Sequence, residues 1–396
     1  FGGTSVGSAK RMKEVASLIC DGDQKIVVLS AMSGTTNTLV EIADYLYKKN
    51  PVSANEVINK MEQKYTAVVE ELYSKDETKA EANTILKGHF DYLRKFTQNN
   101  VFLLFDEKII LAQGELMSTA MMNLYLQENG LNSVLLPALD YMRTDKNAEP
   151  DTQYIKQKLS ALLDKDPDAD IYITQGYICR NAYGEVDNLQ RGGSDYTASL
   201  IGCAINAEEV EIWTDIDGMH NNDPRFVEGT EPVSELHFEE AAELAYFGAK
   251  ILHPTCVRPA QEHNIPVRLL NTLCPEAFGT LIHNSSETGK IKAIAAKDNI
   301  TSIKIKSSRM LLAYGFLRKI FEIFEDNKTA IDMITTSEVG VSVTIDNTKN
   351  LEQIISGLKT LGEVTVEEDM VIICVVGDLK WQNTGFEAKV LNAIST

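Results

Sequence analysis

The chain has 396 residues, of which 44% are hydrophobic and 24% charged, and its formal net charge is −19 from 38 basic and 57 acidic side chains. This length favours two or three domains over one core, and this composition is typical of a soluble globular protein. The acidic excess argues against nucleic acid and against an anionic membrane as partners.

The cysteines and histidines give no sign of a disulfide framework or of a metal site. The six cysteines form no CxxC pair, and the six histidines form no HExxH pattern. No apolar run reaches the length of a membrane-spanning helix, and no signal peptide is visible. We therefore expect reduced thiols, no metal held by protein ligands and a cytoplasmic location.

The first 50 residues predict the beginning of an open, mostly parallel sheet with helices around it. A start rich in glycine and hydroxyl groups, residues 1–8, precedes an amphipathic helix. Residues 26–30 form an apolar run that is typical of a buried strand. A polar turn at 32–37 then leads into a helix from Leu39.

Helical spacing dominates the next part of the chain. Residues 54–98 carry charges of both signs between periodic apolar residues, which predicts two or three surface helices. Glu115 falls in the long helix expected at 102–126. The elements expected after it are a strand at 133–136, a polar loop at 140–151, a helix at 151–163 and a strand at 170–174.

Two adjacent glycines, Gly192 and Gly193, stand between this last strand and an apolar helical segment at 198–205. Such a pair lets the backbone turn tightly, and the free N–H groups of the following helix stabilise an anion. Arg191 offers a planar fork of donors to a carboxylate or phosphate, and Asp195 is an acid of the kind found where phosphoryl groups move. The simpler interpretation is a strand-to-helix turn capped by Ser194 or Asp195, and the stretch alone does not decide.

The chain then continues with strands and helices in alternation. The expected elements are a strand at 210–215, a loop at 216–225, helices at 239–246 and 255–262, and strands at 266–270 and from Gly279. Residues 284–299 are polar and contain Gly289, so we predict a linker there.

From Thr301 the pattern becomes that of a βαββαβ unit of about 70 residues. The expected strands are 303–306, 330–334, 339–345 and 364–368, and of the two expected helices one starts at Gly315 and the other spans 351–361. A strand at 371–375 and a helix after Gly385 then begin the same pattern again. Gly315-Phe316 and Gly385-Phe386 occupy like places, which indicates a weak internal repeat with a truncated second copy.

Neither GxxxxGK[ST] nor GxGxxG occurs, so a P-loop and a dinucleotide fingerprint are both excluded. Three glycine turns, at Gly2-Gly3, Gly34 and Gly192-Gly193, are instead expected at the carboxyl edge of the sheet, where ligands bind. Together with Arg191, Arg225, Lys250 and Asp195 they favour an anion site.

Two acidic positions have alternative interpretations. Glu115 is either an exposed helix glutamate or an acceptor for a substrate amine. Thr214 and Asp215 end a strand at the same edge, and they form either a plain turn or a contact to a purine or ribose.

Eight motifs in this order resemble the aspartate kinases and cover the chain to about residue 290. They are Phe1-Gly2-Gly3-Thr4-Ser5, the stretch 30–37, Gly114-Glu115 with Ser118, the stretch 173–177, the stretch 191–197, Trp213-Thr214-Asp215, Asp223-Pro224-Arg225 and the stretch 247–254. The repeat from 301 resembles the pair of ACT regulatory units that follows the kinase in that family.

The resemblance implies an α/β fold of the amino-acid kinase type, an open and mostly parallel sheet between helices, followed by α+β units of the ACT type. It implies transfer of a phosphoryl group from ATP to L-aspartate, giving 4-phospho-L-aspartate, the first step toward lysine, threonine and methionine. Mg²⁺ is expected to bridge the phosphates, with few or no protein ligands. The implied domains are residues 1–290 for catalysis, 300–369 for a first ACT unit and 370–396 for a truncated second one.

The resemblance also assigns site residues by motif position. Asp195 would organise the transfer, with Arg191 beside it, and the residues that hold aspartate would be Thr36, Glu115, Tyr177, Arg191 and Ser194. The nucleotide would be held by Gly2, Gly3, Thr4, Thr214, Asp215, His220, Arg225 and Lys250. The effector, lysine first and threonine second, would be held by Met310, Phe316, Leu317, Asp332, Thr336, Ser337 and Glu338, although Phe316 and Leu317 also fit a plain core.

The chain departs from the family pattern at three places. The family motif begins with a lysine before Phe1, and we expect the natural protein to have one. Gln190 stands where glycine is common, and His220 stands where tyrosine is common in the nucleotide loop.

Other interpretations stay open at this point. They are another amino-acid or carbamate kinase of the same fold, a non-catalytic amino-acid sensor, and the kinase half of a fusion with homoserine dehydrogenase. The expected partners are L-aspartate, an amino-acid effector and further copies of the chain, joined through the ACT units.

Overall fold

The structure, a computed structural model, describes residues 1–99, 101–189, 192–248, 252–285, 290–310, 314–377 and 385–395. The chain divides into two compact units, one of Phe1–Lys290 with the segment from Gly377 and one of Ile291–Val376. No helix in the described ranges is long and apolar enough to cross a membrane.

The first unit alternates helices and strands, as the sequence predicts. Its helices are α1 (Ala9–Ile19), α2 (Thr35–Tyr47), α3 (Pro51–Leu72), α4 (Asp76–Phe96), α5 (Leu104–Glu128), α6 (Ala138–Tyr141), α7 (Thr152–Leu163), α8 (Gly193–Ile205), α9 (Phe238–Phe247) and α10 (Pro254–Glu262). Its strands are β1 (Lys25–Leu29), β2 (Ser133–Leu136), β3 (Ile171–Gln175), β4 (Ile178–Arg180), β5 (Val186–Asn188), β6 (Val210–Thr214), β7 (Glu235–His237), β8 (Val267–Asn271) and β9 (Thr280–His283).

Most strand pairs of this unit are parallel. The strands β1, β3 and β2 form one sheet in that order, with both pairs parallel. A second sheet has the order β6-β8-β9-β7, in which only the β8–β9 pair is antiparallel. The mostly parallel α/β class is therefore confirmed, and β4 with β5 adds a short antiparallel hairpin.

The first sheet is covered by helices on both faces. Val27 and Leu29 of β1 point into a core built with α1 to α5, whereas Val28 points into a second core that includes Leu200 of α8. Successive side chains of a strand alternate between the two faces of the sheet, so one apolar strand serves both cores. This burial on both faces is why residues 26–30 form a continuous apolar run.

The helices α3 and α4 contribute more to the core than the charges of residues 54–98 suggest. Tyr65 of α3 and Phe90 of α4 are both fully buried, and their rings meet edge to face at 5.8 Å. The charged residues occupy the outer faces, so the mixed composition reflects amphipathic helices.

The second unit is a four-stranded sheet with two helices. Its elements are β10 (Ile291–Lys306), α11 (Phe316–Asp326), β11 (Met333–Thr336), β12 (Gly340–Ile345), α12 (Leu351–Lys359) and β13 (Glu363–Gly377), followed by α13 (Phe386–Ile394) of the C-terminal segment. The strand order is β11-β12-β10-β13, and side chains of β10, β12, α11 and α12 form the core.

Three predicted boundaries of this region are wrong. The linker expected at 284–299 is strand from Ile291, where the buried positions are Ala293 and Ala295, whose small side chains give little hydrophobic signal. The strand expected at 330–334 starts instead at Met333. The two strands expected on either side of Asp369 are one strand, β13, in which Asp369 has a positive φ of 57°.

Gly279 lies at a closely packed position of the second sheet. Its φ is +70°, and a Cβ there would lie 1.9 Å from the backbone oxygen of Leu269. We expect Gly279→Ala to lower the free energy of unfolding by about 3 kcal/mol or more, because left-handed strain and a backbone clash add together. Urea denaturation measures this loss.

The matched control is Gly229→Ala. Gly229 has a similar φ of +75° but open space around the added Cβ. This variant should lose only about 1 kcal/mol from left-handed strain. Equal losses in the two variants would show that backbone conformation alone, without the clash, sets the requirement for glycine at 279.

Candidate functional site

The candidate site begins where β1 and β3 end side by side. The two strands are paired in register up to Leu29 and Gln175, so the residues that follow them, Ser30 and Gly176, are neighbours. The Ser30 Oγ and the Ser194 Oγ are 2.7 Å apart, within hydrogen-bond distance. The turn before α8 therefore lies over the carboxyl ends of both strands.

Gly176 makes this approach possible. A Cβ at Gly176 would lie 2.2 Å from the Ser194 Oγ and 2.4 Å from the Ser194 Cβ, so no other residue fits without displacing the turn. The helix α8 starts at Gly193, and its N-cap is Gly192 with a φ of 86°, not Ser194 or Asp195 as the simpler interpretation proposed.

Asp195 lies in the first turn of α8, partly buried at this edge. Burial raises the pKa of its carboxyl above the ordinary value. Helix N-termini favour negative charge, so the position can hold a carboxylate beside a bound anion. Gln190 and Arg191, which precede the turn, lie outside the described residues.

Glu115 reaches the same edge from α5 and is only 4% exposed. Its Oε1 accepts a long hydrogen bond of 3.4 Å from the Ala31 N–H, and burial raises the pKa of Glu115 to about 7. The interpretation as an exposed helix glutamate is therefore wrong. A buried carboxylate with few donors has the capacity to bind a cationic group such as an amine.

The close approach of α5 to the turn after β1 depends on Gly114. A Cβ at Gly114 would lie 2.8 Å from the Ala31 Cβ and 3.3 Å from the Thr35 Cγ2. The Ser118 hydroxyl, one helical turn beyond Glu115, donates to the Ser30 oxygen at 2.7 Å. These two contacts fix the distance between Glu115 and the turn at 30–35.

Tyr177 and Thr36 complete this side of the site. Tyr177 has a positive φ of 67°, rare for a bulky residue, and its N–H donates to the Thr197 Oγ1 at 2.9 Å. Burial, with a contribution from Glu115, raises the pKa of Tyr177 to about 12. Thr36 is exposed in the first turn of α2, whose N-cap is Gly34.

The N-terminal segment connects this side to the second sheet. Phe1 stacks on Trp213 with ring centroids 5.5 Å apart, and the Gly2 N–H donates to the Trp213 oxygen at 3.5 Å. A Cβ at Gly3 would lie 3.0 Å from the Ala31 oxygen. Gly2 and Gly3 therefore lie between the ends of β1 and β6, and Thr4 beside them is exposed.

The predicted nucleotide residues form two groups. Thr214 is the last residue of β6 and Asp215 follows it, next to Gly2, and Asp215 is exposed. His220 and Arg225 lie further along the loop, where His220 contacts Asp217 and Thr230 and Arg225 pairs with Asp223. The described contacts of these two side chains thus stay within their own loop, and Lys250 lies outside the described residues.

Several supporting residues belong to the quoted motifs, but sequence reasoning gave them no role. They are Ser30, which contacts Ser194, Ser118, which holds the Ser30 backbone, Thr197, which holds Tyr177, and Trp213, which stacks on Phe1. Ser118 was detectable in principle, because it stands three residues after Glu115 and so on the same helix face. In the described ranges, no group of three His, Cys, Asp or Glu side chains could hold a metal ion.

The polar members of the predicted effector residues lie at one edge of the second unit. Asp332 precedes the edge strand β11, and its Oδ1 accepts from Lys297 at 2.8 Å, while the same Lys297 pairs with Asp346 at 2.9 Å. Thr336, Ser337 and Glu338 follow and are exposed. Phe316 is core, Met310 packs at the margin of the core, and Leu317 is partly exposed at 37%.

Comparisons with known proteins identify the family of the chain. The model of the amino acid kinase family matches residues 1–271. Lysine-sensitive aspartokinase 3 of Escherichia coli is 34% identical over 391 residues, which are 96% of this chain and 86% of that protein.

Two crystal structures of E. coli aspartokinase III resemble the chain closely. The complex with aspartate and ADP, called the R-state, has a TM-score of 0.83 at 32% identity and covers 100% of this chain and 90% of that one. The complex with lysine and aspartate, called the T-state, has a TM-score of 0.80 at 33% identity and covers 99% and 89%. The chain therefore belongs to the aspartokinases of the amino acid kinase family.

Proposed function

We propose that the chain transfers the terminal phosphoryl group of ATP to the side-chain carboxylate of L-aspartate, giving 4-phospho-L-aspartate. The observation that carries this proposal is the buried Glu115, which faces the turn at 30–35 at the same sheet edge as Asp195. A substrate with both an amine and carboxylates suits this arrangement. The related E. coli enzyme, crystallised with aspartate and ADP, supports the same substrates.

Aspartate would lie between α2, α5 and the turn before α8. Glu115 would accept the amine, and Arg191 would pair with one carboxylate through its planar fork. Thr36, Tyr177 and Ser194 would line the remaining sides. A buried acid suits this role because the attraction between an ammonium ion and a carboxylate is strongest where water is excluded.

ATP would approach from the second sheet. Gly2, Gly3 and Thr4 would offer backbone N–H groups to phosphate oxygens, and Thr214 with Asp215 would contact the nucleoside at the end of β6. His220, Arg225 and Lys250 would complete the nucleotide site, which for His220 and Arg225 requires exchange of the loop contacts to Thr230 and Asp223. Mg²⁺ would bridge the phosphates of the nucleotide, with few or no protein ligands.

The chemistry needs positioning and charge balance more than a base. A carboxylate is already a nucleophile, so the protein must hold two anions in line and neutralise the charge that develops. The free N–H groups of α8 and the guanidinium of Arg191 would serve that purpose. Asp195, in the same first turn, would orient the groups that move.

For regulation, we propose that lysine binds the second unit at Met310, Phe316, Leu317, Asp332, Thr336, Ser337 and Glu338. The polar members lie together around β11, and the related E. coli protein is named lysine-sensitive. The strand β11 is at a sheet edge with Met333 and Ile334 exposed, which favours association of copies of the chain there. Residues 300–369 and 370–396 would form two ACT units, and residues 1–290 would form the catalytic domain.

We further propose a cytoplasmic location. In the described part of the chain, Cys20, Cys179, Cys203, Cys256 and Cys274 are thiols outside any disulfide. Thiols persist in a reducing compartment, so this agrees with the scattered cysteines of the sequence.

Asp195→Asn tests the catalytic assignment. The turnover number with aspartate and ATP should fall by about a hundredfold or more, because the neutral amide cannot orient the developing charge, while both KM values change by less than about threefold. Steady-state kinetics with aspartate, glutamate and carbamate as acceptors provide the measurement. A wild-type enzyme that prefers glutamate or carbamate would refute the function, and a variant within about tenfold of the wild-type rate would refute the role of Asp195.

The raised pKa of Glu115, about 7, predicts how activity depends on pH. Only the ionised carboxylate attracts an ammonium group, so kcat/KM for aspartate should fall about tenfold per pH unit below pH 7 and level off above it. Glu115→Gln should raise the KM for aspartate and remove this limb of the profile. The control Glu70→Gln changes an exposed acid on α3, paired with Lys79, and should leave the profile as it is.

Lysine should inhibit the enzyme and raise its melting temperature, because a ligand that binds only the folded chain stabilises it. Glu338→Gln should raise the lysine concentration for half-inhibition by about fivefold or more. The matched control is Glu322→Gln on α11, an exposed acid paired with Arg318. A response to threonine but not to lysine would reverse the choice of effector.

A further inference from the structure

The helix α3 contacts the aspartate side of the site although it carries none of the residues assigned to substrates. The Tyr65 OH and the Thr35 Oγ1 are 2.9 Å apart, and both side chains are buried, with exposures of 0% and 2%. The neighbouring Lys64 Nζ donates to the Ser33 oxygen at 2.9 Å. Two successive residues of α3 thus hold the start of α2 and the turn that precedes it.

Thr35 connects this contact to Glu115. Its Cγ2 packs against Gly114, where an added Cβ would lie only 3.3 Å away, and Glu115 is the next residue. The pKa of the Tyr65 phenol is raised mainly by burial, and the Glu115 carboxylate adds to the rise. Tyr65 therefore stays a neutral hydroxyl close to the acid.

The Tyr65 ring has little freedom to move. It meets Phe90 of α4 edge to face at 5.8 Å, and the ring is fully buried in the core of the first unit. A hydroxyl on a fixed ring defines one position for its partner, and a buried hydroxyl without a partner is costly. The position of Thr35 is thus set by the helices α3 and α4, which lie outside the sheet.

We propose that Tyr65 is a positioning residue for aspartate binding. Its hydroxyl holds Thr35 and so sets the first turn of α2, which carries Thr36, at a fixed distance from Glu115. This inference rests on the proposed function, in which Thr36 and Glu115 hold the substrate. By this inference, Tyr65 and the helices α3 and α4 that hold it contribute to the affinity for aspartate.

Tyr65→Phe tests the inference, because it removes the hydroxyl and keeps the ring. The KM for aspartate should rise about tenfold, whereas the KM for ATP and the turnover number should stay within about threefold. The control is Tyr73→Phe on the same stretch of chain, since the Tyr73 OH is also buried and donates to the Met121 oxygen at 2.8 Å. This control should lower the melting temperature by a similar amount without raising the KM for aspartate.

A double-mutant cycle with Thr35→Val separates the hydrogen bond from general damage. If the bond acts as proposed, the double variant shows the same fold increase in KM for aspartate as either single variant. Independent effects would instead multiply the two fold increases. An unchanged KM in Tyr65→Phe, or an equal rise in Tyr73→Phe, would overturn the inference while wild-type activity on aspartate upholds the function. A wild-type chain inactive on aspartate would instead refute the function and the inference together.

Discussion

The site depends on the close approach of three backbone segments at one sheet edge. The turn after β1, the turn after β3 and the first turn of α8 meet through the Ser30–Ser194 contact of 2.7 Å. This approach exists only because Gly176 has no side chain, since a Cβ there would lie 2.2 Å from Ser194. Packed interiors leave no space for an additional Cβ, so the close approach of these segments requires glycine at position 176.

The same approach explains why the acids of the site have raised pKa values. Glu115 is brought under the turn at 30–35 by the lack of a side chain at Gly114, and it is thereby removed from water. Asp195 is partly buried where α8 meets the ends of the strands, and this burial raises the pKa of its carboxyl. Desolvation raises the free energy of the charged carboxylate, and a nearby cation lowers that free energy again. The burial of these acids thus favours a ligand that brings positive charge.

The two units solve the problem of buried charge differently. In the second unit, Asp332 already has a cation in Lys297, which also pairs with Asp346. In the first unit, the described contact of the Glu115 carboxylate is the Ala31 backbone N–H, which compensates a negative charge less well than a cation does. Acids with an internal cation stabilise a fold, whereas an acid without one is held ready for a ligand.

The sequence alone determined the main strands and helices of the first unit, the family and the edge of the sheet that carries the site. Apolar periodicity located β1, β3 and α8, and the motifs around Glu115 and Asp195 indicated the family and the edge at which those residues meet. Local patterns suffice there because burial on both faces and glycine turns leave a direct signal in the chain.

The tertiary structure decided what depends on contacts distant in sequence. Three features have no local signature in the sequence. They are the burial of Glu115, the contact of Tyr65 with Thr35 across 30 residues, and the part of β10 whose buried positions are alanines 293 and 295. His220 and Arg225 were chosen by motif, yet their partners Thr230 and Asp223 could be found only in the folded loop. Side-chain environment is set by the packing of segments far apart in the chain, and sequence spacing by itself does not determine it.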